Sequence, residues 1–259
     1  MTSSSKWLVL GAAVAVAVGV AAVRAQAPAP QLQLGKKVFE DTCAKCHGRS
    51  GKGDGPDSIK LGFHPRDFTL GAFKCRCTPT GQPPTDADLL RTVTNGMPGT
   101  PMIANKTLTD EQRAAVVQYI KTLSKVFETA SVADCAPPPP PPAASAEMVA
   151  EGKQLYEKMQ CAKCHGTGGR GDGPSAGSLV DDWGRPIKPY NFVVLKNFKC
   201  GNDDRDLFRT LTTGMTGSPM PSFADALAFD TAGMADPQKH DLVAHRVWAL
   251  VQYLRSLQK

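Results

Sequence analysis

Residues 43–56 read CAKCHGRSGKGDGP, and residues 161–174 read CAKCHGTGGRGDGP. Each stretch sets two cysteines three positions apart, follows them with a histidine, and runs into a glycine-rich tail. The repetition extends well beyond these segments. GKKVFEDTCAKCH (35–47) answers to GKQLYEKMQCAKCH (152–165) with one residue added, and PRDF (65–68) loosely to PYNF (189–192). FKC (73–75) recurs at 198–200, and DLLRTVTNGMPGTPM (88–102) recurs as DLFRTLTTGMTGSPM (206–220). VVQYIKTL (116–123) answers to LVQYLRSL (250–257), now 134 positions on rather than 118. The second copy therefore holds about 16 extra residues between Met220 and its last helix. The chain is a tandem duplication.

Between the copies lie six consecutive prolines, Pro137–Pro142, which favour a polyproline II spacer of about 20 Å. Residues 1–30 carry Lys6 and then an uninterrupted apolar run, Trp7–Val23, ending in Val23-Arg24-Ala25. This pattern predicts an export signal cut near Ala25, or a retained membrane anchor, since 17 apolar residues just suffice to span. Either alternative places the remainder in an oxidising compartment, the periplasm, where disulfides persist. The expected organisation is 1–25 signal or anchor, 26–134 first domain, 135–146 proline-rich linker and 147–259 second domain.

Composition adds limits. At 259 residues, 41% hydrophobic and 21% charged, the chain is ordinary globular material, while 24 glycines and 21 prolines imply much loop. The net charge of +6 falls to +4 once Lys6 and Arg24 are cleaved away, and no basic run suggests a nucleic-acid partner. Apolar spacing predicts helices over 35–43, 86–95, 109–126, 150–161, 203–213 and 240–257. Thr109 with Gln112 has capping-box spacing, and Gly96 and Gly214 stand where helices stop. No hairpin signal appears, so the expected class is all-α.

Cys43, Cys46 and His47, and again Cys161, Cys164 and His165, form C-x-x-C-H, the signature of covalent haem c attachment. Two cysteines three apart on a helical turn can form thioethers to one macrocycle, and the adjacent imidazole then reaches the iron. A redox dithiol would need a βαβ setting, and a zinc site a second ligand pair. Neither is present. GKGDGP and GRGDGP lack the preceding strand and the Lys-Ser/Thr of a phosphate loop, and read as turns covering a haem.

With these motifs in hand, each half resembles a class I cytochrome c domain over roughly 34–124 and 150–257. The shared features are an N-terminal helix, C-x-x-C-H-G, a glycine-rich loop, a Met-bearing loop and a C-terminal helix with V-x-Y-[IL]. The resemblance implies two domains of three to five helices, each around a covalently attached haem, and a methionine thioether as sixth iron ligand. Met220 precedes Pro221 as the family pattern requires, and Met102 is its counterpart, followed by Ile103; Met97 and Met215 are the rivals. Such His/Met ligation raises the potential above that of bis-His iron. The resemblance also implies that the Pro65 and Pro189 carbonyls accept the proximal histidine N–H. Arg91 and Arg209 are weighed as haem propionate partners against a solvated helix face. His64, His240 and His245 are weaker candidate ligands.

Cys75, Cys77, Cys135 and Cys200 remain. Cys75 and Cys77 are too close to bridge comfortably, leaving Cys75–Cys135 with Cys77–Cys200, or Cys75–Cys200 with Cys77–Cys135. Either pairing ties the halves together. The function expected is that of a dihaem electron carrier between redox partner proteins, not itself an enzyme, soluble in the periplasm or tethered to the inner membrane. The alternatives are a dihaem subunit of a membrane redox complex of a respiratory chain, a dihaem peroxidase, and a gas or redox sensor. The added segment 223–241 is expected to be a partner surface or haem cover.

Overall fold

In the computed structural model, residues 28–58, 60, 64–129, 132, 135–194 and 198–258 are described. The expected export segment, residues 1–25, lies outside them. Among the described residues the fold is all-α, with a single isolated antiparallel bridge between Val180 and Pro186.

The first half opens with α1 (Ala29–Val38), which widens through a π turn (Phe39–Cys43) into α2 (Ala44–His47). Next come α3 (Asp86–Asn95), α4 (Asp110–Thr122) and the short α5 (Val126–Thr129). The second half repeats the plan with α6 (Ala146–Lys158), α7 (Ala162–His165), α8 (Asp204–Thr213) and α9 (Asp236–Ser256).

The helix limits follow from local chemistry. Thr85 caps α3 in a reciprocal box with Asp88, and Thr109 caps α4 with Gln112 as its spacing predicts. Asp203 accepts the Asp206 N–H at the start of α8. α6 begins four residues earlier than its apolar spacing suggests, because Ser145 accepts the Met148 N–H. α9 likewise starts at Asp236 rather than near His240, with a proline in its first turn where the missing N–H does no harm.

The residue added to the second copy is absorbed before its C-x-x-C-H. In the first half the Ala44 N–H reaches back to Phe39 O through the π turn. In the second, α6 ends at Lys158, Gln160 takes a left-handed turn (φ 59°), and the Cys161 N–H reaches Tyr156 O at 3.0 Å. Both routes deliver the motif at the same place.

In each half the first and last long helices cross at a glycine. A Cβ on Gly35 would fall 2.1 Å from the Ala115 carbonyl oxygen of α4, and one on Gly152 would fall 2.0 Å from that of Ala249 in α9. Only hydrogen fits there. The core of each half gathers around this crossing, with Phe39, Val116, Val117 and Ile120 in the first and Tyr156, Val247, Leu250 and Val251 in the second.

Two disulfides join distant parts of the chain: Cys75–Cys200 (Cα–Cα 5.2 Å) and Cys77–Cys135 (Cα–Cα 5.9 Å). Of the two pairings the sequence allows, the chain adopts this one. Cys77, Cys135 and Asp88 lie close enough together to suggest a cation site. Both sulfurs, however, are spent on the bridge, and the Asp88 carboxylate accepts N–H groups from Cys77 and Thr85.

Candidate metal centres

The two C-x-x-C-H segments are held by the same backbone ladder. In the first, the glycine-rich tail folds back so that Gly53 N–H donates to His47 O (2.8 Å), Gly55 N–H to Cys46 O (3.1 Å) and Asp57 N–H to Lys45 O (2.9 Å). In the second, Gly171, Gly173 and Ser175 do the same to His165, Cys164 and Lys163 at 2.8, 3.1 and 2.9 Å. The tail's amides satisfy the carbonyls left over at a helix end, so they are not free to cradle a phosphate.

His47 is 8% exposed and its Nδ1 lies 3.0 Å from Arg66 O; His165 Nδ1 lies 3.0 Å from Tyr190 O. A carbonyl only accepts, so Nδ1 carries the proton and Nε2 keeps its lone pair for a metal. Burial pushes both imidazole pKa values down, against the raising effect of those carbonyls, and this favours the neutral, ligating form. The accepting carbonyls are one residue beyond Pro65 and Pro189, where the resemblance placed them. The reason is loop direction: the Pro65 and Pro189 carbonyls turn instead against Gly53 and Gly171, filling the space a side chain there would need. Phe68 stacks on the His47 ring (centroids 4.4 Å, 20°) and Phe192 on His165 (4.6 Å, 25°), which fixes the imidazole planes. The PRDF and PYNF similarity contains these rings, but nothing in the sequence marks them as the imidazoles' neighbours.

None of the four motif cysteines is in a disulfide, and all are partly buried. Burial, with the neighbouring Cys46, pushes the Cys43 thiol up to about 11, and burial pushes Cys161 up to about 12. Two thiols and an imidazole with a free Nε2, presented on one turn against an apolar core, are the donor set that a covalently attached haem requires. The residues fit that group.

The methionine loops are built alike. Gly96 and Gly214, both at φ 67°, end α3 and α8, and the chain returns so that Met97 N–H meets Met102 O (2.8 Å) and Met215 N–H meets Met220 O (3.0 Å). Thr100 and Ser218 hydroxyls each close the turn onto Met97 O and Met215 O at 2.7 Å. Met220 packs against the second core, while Ile103, standing where the second copy has Pro221, is 73% exposed.

Other candidates are placed elsewhere. Arg91 pairs with Asp88 (2.9 Å) and Arg209 with Asp206 (2.6 Å), each within its own helix. His64 and His240 are exposed, and His245 meets Glu151 Oε2 at 2.9 Å. In the added segment, Phe229 is sandwiched between Lys158 Nζ (3.3 Å to the ring centroid) and the Arg246 guanidinium (3.7 Å).

Comparison with known proteins gives three findings. The family model described as Cytochrome c matches residues 32–124 and 149–258. A Cbb3-type cytochrome c oxidase subunit CcoP from Azospirillum sp. (strain B510) is 29% identical over 207 residues, 74% of this chain. The chain spans 56% of that relative's length. A chain of the Kuenenia stuttgartiensis reducing HAO-like protein complex superposes with TM-score 0.77 at 41% identity, covering 88% of this chain and 96% of the other.

Proposed function

Since this chain belongs to the cytochrome c family, in two tandem domains of that all-α fold, we propose that it is a dihaem electron carrier passing single electrons between redox partner proteins. Cys43, Cys46 and His47 hold one haem c, and Cys161, Cys164 and His165 the other. Met102 and Met220 are the sixth ligands, and the domains run over 26–134 and 147–259. The observation that carries this reading is the duplicated Nδ1-anchored histidine, buried in the first half and half-buried in the second, beside two cysteines that no disulfide uses.

Haem iron, when bound, supplies the one-electron couple. The chain's own residues do the rest. The Arg66 and Tyr190 carbonyls and the Phe68 and Phe192 rings keep each imidazole in one tautomer and one plane. The helix crossings at Gly35 and Gly152 exclude water from the apolar sides. A thioether in the methionine loop shifts the couple upward. An imidazole and a methionine thioether given to the same iron would leave no position for a substrate, and the chain would then act as a carrier rather than a catalyst.

A second reading is favoured by the relatives: one is an oxidase subunit and another a chain of a redox protein complex. In it, this chain is the dihaem subunit of a membrane redox complex. No helix among the described residues is long and apolar enough to cross a membrane, so tethering rests on residues 1–25, and N-terminal sequencing of the exported protein separates a cleaved carrier from an anchored subunit.

The full chain, produced with a haem maturation system, is expected to carry two haems. In its oxidised form it should show a methionine–iron charge-transfer band that halves in Met102→Ala and in Met220→Ala, but not in Met97→Leu or Met215→Leu. One haem per chain, or carbon monoxide binding to the untreated reduced protein, overturns the carrier reading.

A further inference from the structure

The halves differ in length just where they touch. From Pro174 to Pro189 the second half takes 15 positions, where Pro56 to Pro65 takes 9 in the first. The longer loop is a braced turn. Val180 bridges to Pro186, Asp181 N–H donates to Arg185 O (2.8 Å), and the Asp181 carboxylate accepts the Trp183 and Arg185 N–H groups at 3.0 Å each. The turn sets the Trp183 ring against the first half, with the Arg66 guanidinium 4.4 Å from its centroid. The same ring lies on Gly217, inside the second methionine loop: a Cβ there would fall 2.7 Å from Trp183 and 2.8 Å from an Arg66 guanidinium nitrogen. Arg66 is also the residue whose carbonyl takes the His47 Nδ1 proton, at 3.0 Å. The matching place in the second half is filled by Tyr190, which is uncharged at neutral pH.

We propose that Arg66 and Trp183 are positioning residues that fix a positive charge beside the proximal histidine of the first centre, so that this centre holds its electron more tightly than the second. The proposal rests on the dihaem reading above. An oxidised centre carries one more positive charge than a reduced one, so a cation held nearby favours the reduced form. At a partly buried place the interaction is poorly screened by solvent and salt. On an open surface an arginine would swing its charge into water. Stacking on an indole face holds the guanidinium where it is, an attraction that strengthens as the pair loses solvent.

The other charges around Arg66 are Asp67, Asp181, Asp182 and Arg185, with Lys74 nearby. Neutralising Arg66 leaves the three carboxylates less compensated, which pushes the first centre in the same direction as losing the cation itself. Among the described residues the second centre has no equivalent arrangement. Because Trp183 leans on Gly217, the clasp also places the first centre's cation against the loop that carries the second centre's sixth ligand.

The test is spectroelectrochemical titration of the haem-loaded full chain, resolved into two one-electron waves. Met102→His, which exchanges thioether for imidazole and lowers the first potential, assigns the waves. Arg66→Leu is expected to weaken reduction of the first centre about tenfold, or 59 mV for one electron. Trp183→Leu, which removes the clasp but no charge, weakens it about threefold. Arg66→Lys and Trp183→Phe keep most of the wild-type value, and in all four the second wave moves less than the first. If the first wave does not move, or both waves move together, the contact is merely structural and the proposal falls. A chain with fewer than two haems overturns this proposal together with the dihaem reading; two normal but unmoved waves overturn this proposal alone.

Discussion

Lys74 and Lys199 each stand one residue before a cysteine of the same bridge, so closing Cys75–Cys200 draws two lysines into one half-buried seam. Burial, then the charges of Arg66 and Lys199, push Lys74 down to about 8, and burial alone lowers Lys199. An unfolded lysine keeps its proton to about pH 10.4. Between pH 8 and that value the unfolded chain binds more protons than the folded one, so stability rises with pH across this window. Wild type is therefore expected to gain on the order of 2–3 kcal/mol between pH 8 and 10.5 relative to Lys74→Met. The check is denaturant unfolding of both proteins at each pH; parallel curves would show that Lys74 titrates normally. Nothing in the sequence flags this lysine, since FKC is repeated but the partner of each cysteine is invisible there. What can be read from sequence at this scale is what one turn of chain decides: C-x-x-C-H itself, and the Thr109 cap with its Gln112. The carbonyl that meets His47 could not be read so closely, because the direction of a carbonyl depends on the torsions of a long loop rather than on residue type.

At the scale of elements, Gly35 and Gly152 set two opposing effects against each other. Alanine is favoured over glycine inside a helix by about 1 kcal/mol. Yet the added methyl carbon would lie about 2 Å from a carbonyl oxygen of the crossing helix, and that oxygen belongs to backbone, which cannot rotate away. Helices forced apart lose contacts along the whole crossing, and overpacking of this kind costs about 1–3 kcal/mol or more. Packing wins. Gly35→Ala and Gly152→Ala are each expected to destabilise their own half by about 1–2 kcal/mol net, measured as a shift in the denaturation midpoint; a stabilised variant would show the crossing to be looser than described. The helices were legible where periodicity and caps coincide, as for α3, α4 and α8. Their ends were less so. α6 starts early because Ser145 lies outside the apolar pattern, and the π turn at Phe39–Cys43 has no residue signature.

At the scale of the whole molecule, the additions that break the repeat also build the seam. The stretch from Cys75 to Asp88 spans 13 positions, against 6 from Cys200 to Asp206. That longer loop carries Arg76, whose Nε donates to Thr216 Oγ1 (2.8 Å) and whose guanidinium reaches Thr213 O (2.9 Å), with Thr213 Oγ1 donating back to Arg76 O (3.0 Å). From the other side comes the Trp183 turn. Each half thus grips the other through residues its copy lacks, and both grips close around the second methionine loop. Cys75–Cys200 joins equivalent positions of the two copies, so the bridge lies where the repeat meets itself. Sequence comparison of the halves reveals these additions but not their destination, because contact across a proline spacer leaves no periodic trace. The bridge spans 125 positions, a large loop to close in an unfolded chain, and such a crosslink stabilises mainly by restricting that state. In the folded state Arg76, Thr213, Arg66 and Trp183 already hold the seam. Cys75→Ser with Cys200→Ser is therefore expected to lower unfolding free energy by about 2–4 kcal/mol while leaving the spectrum and both potentials of the folded protein unchanged. Denaturant titration together with a redox titration checks both halves of the statement; potentials that drift with the bridge removed would mean that the disulfide, not the polar grips, sets how the two halves meet.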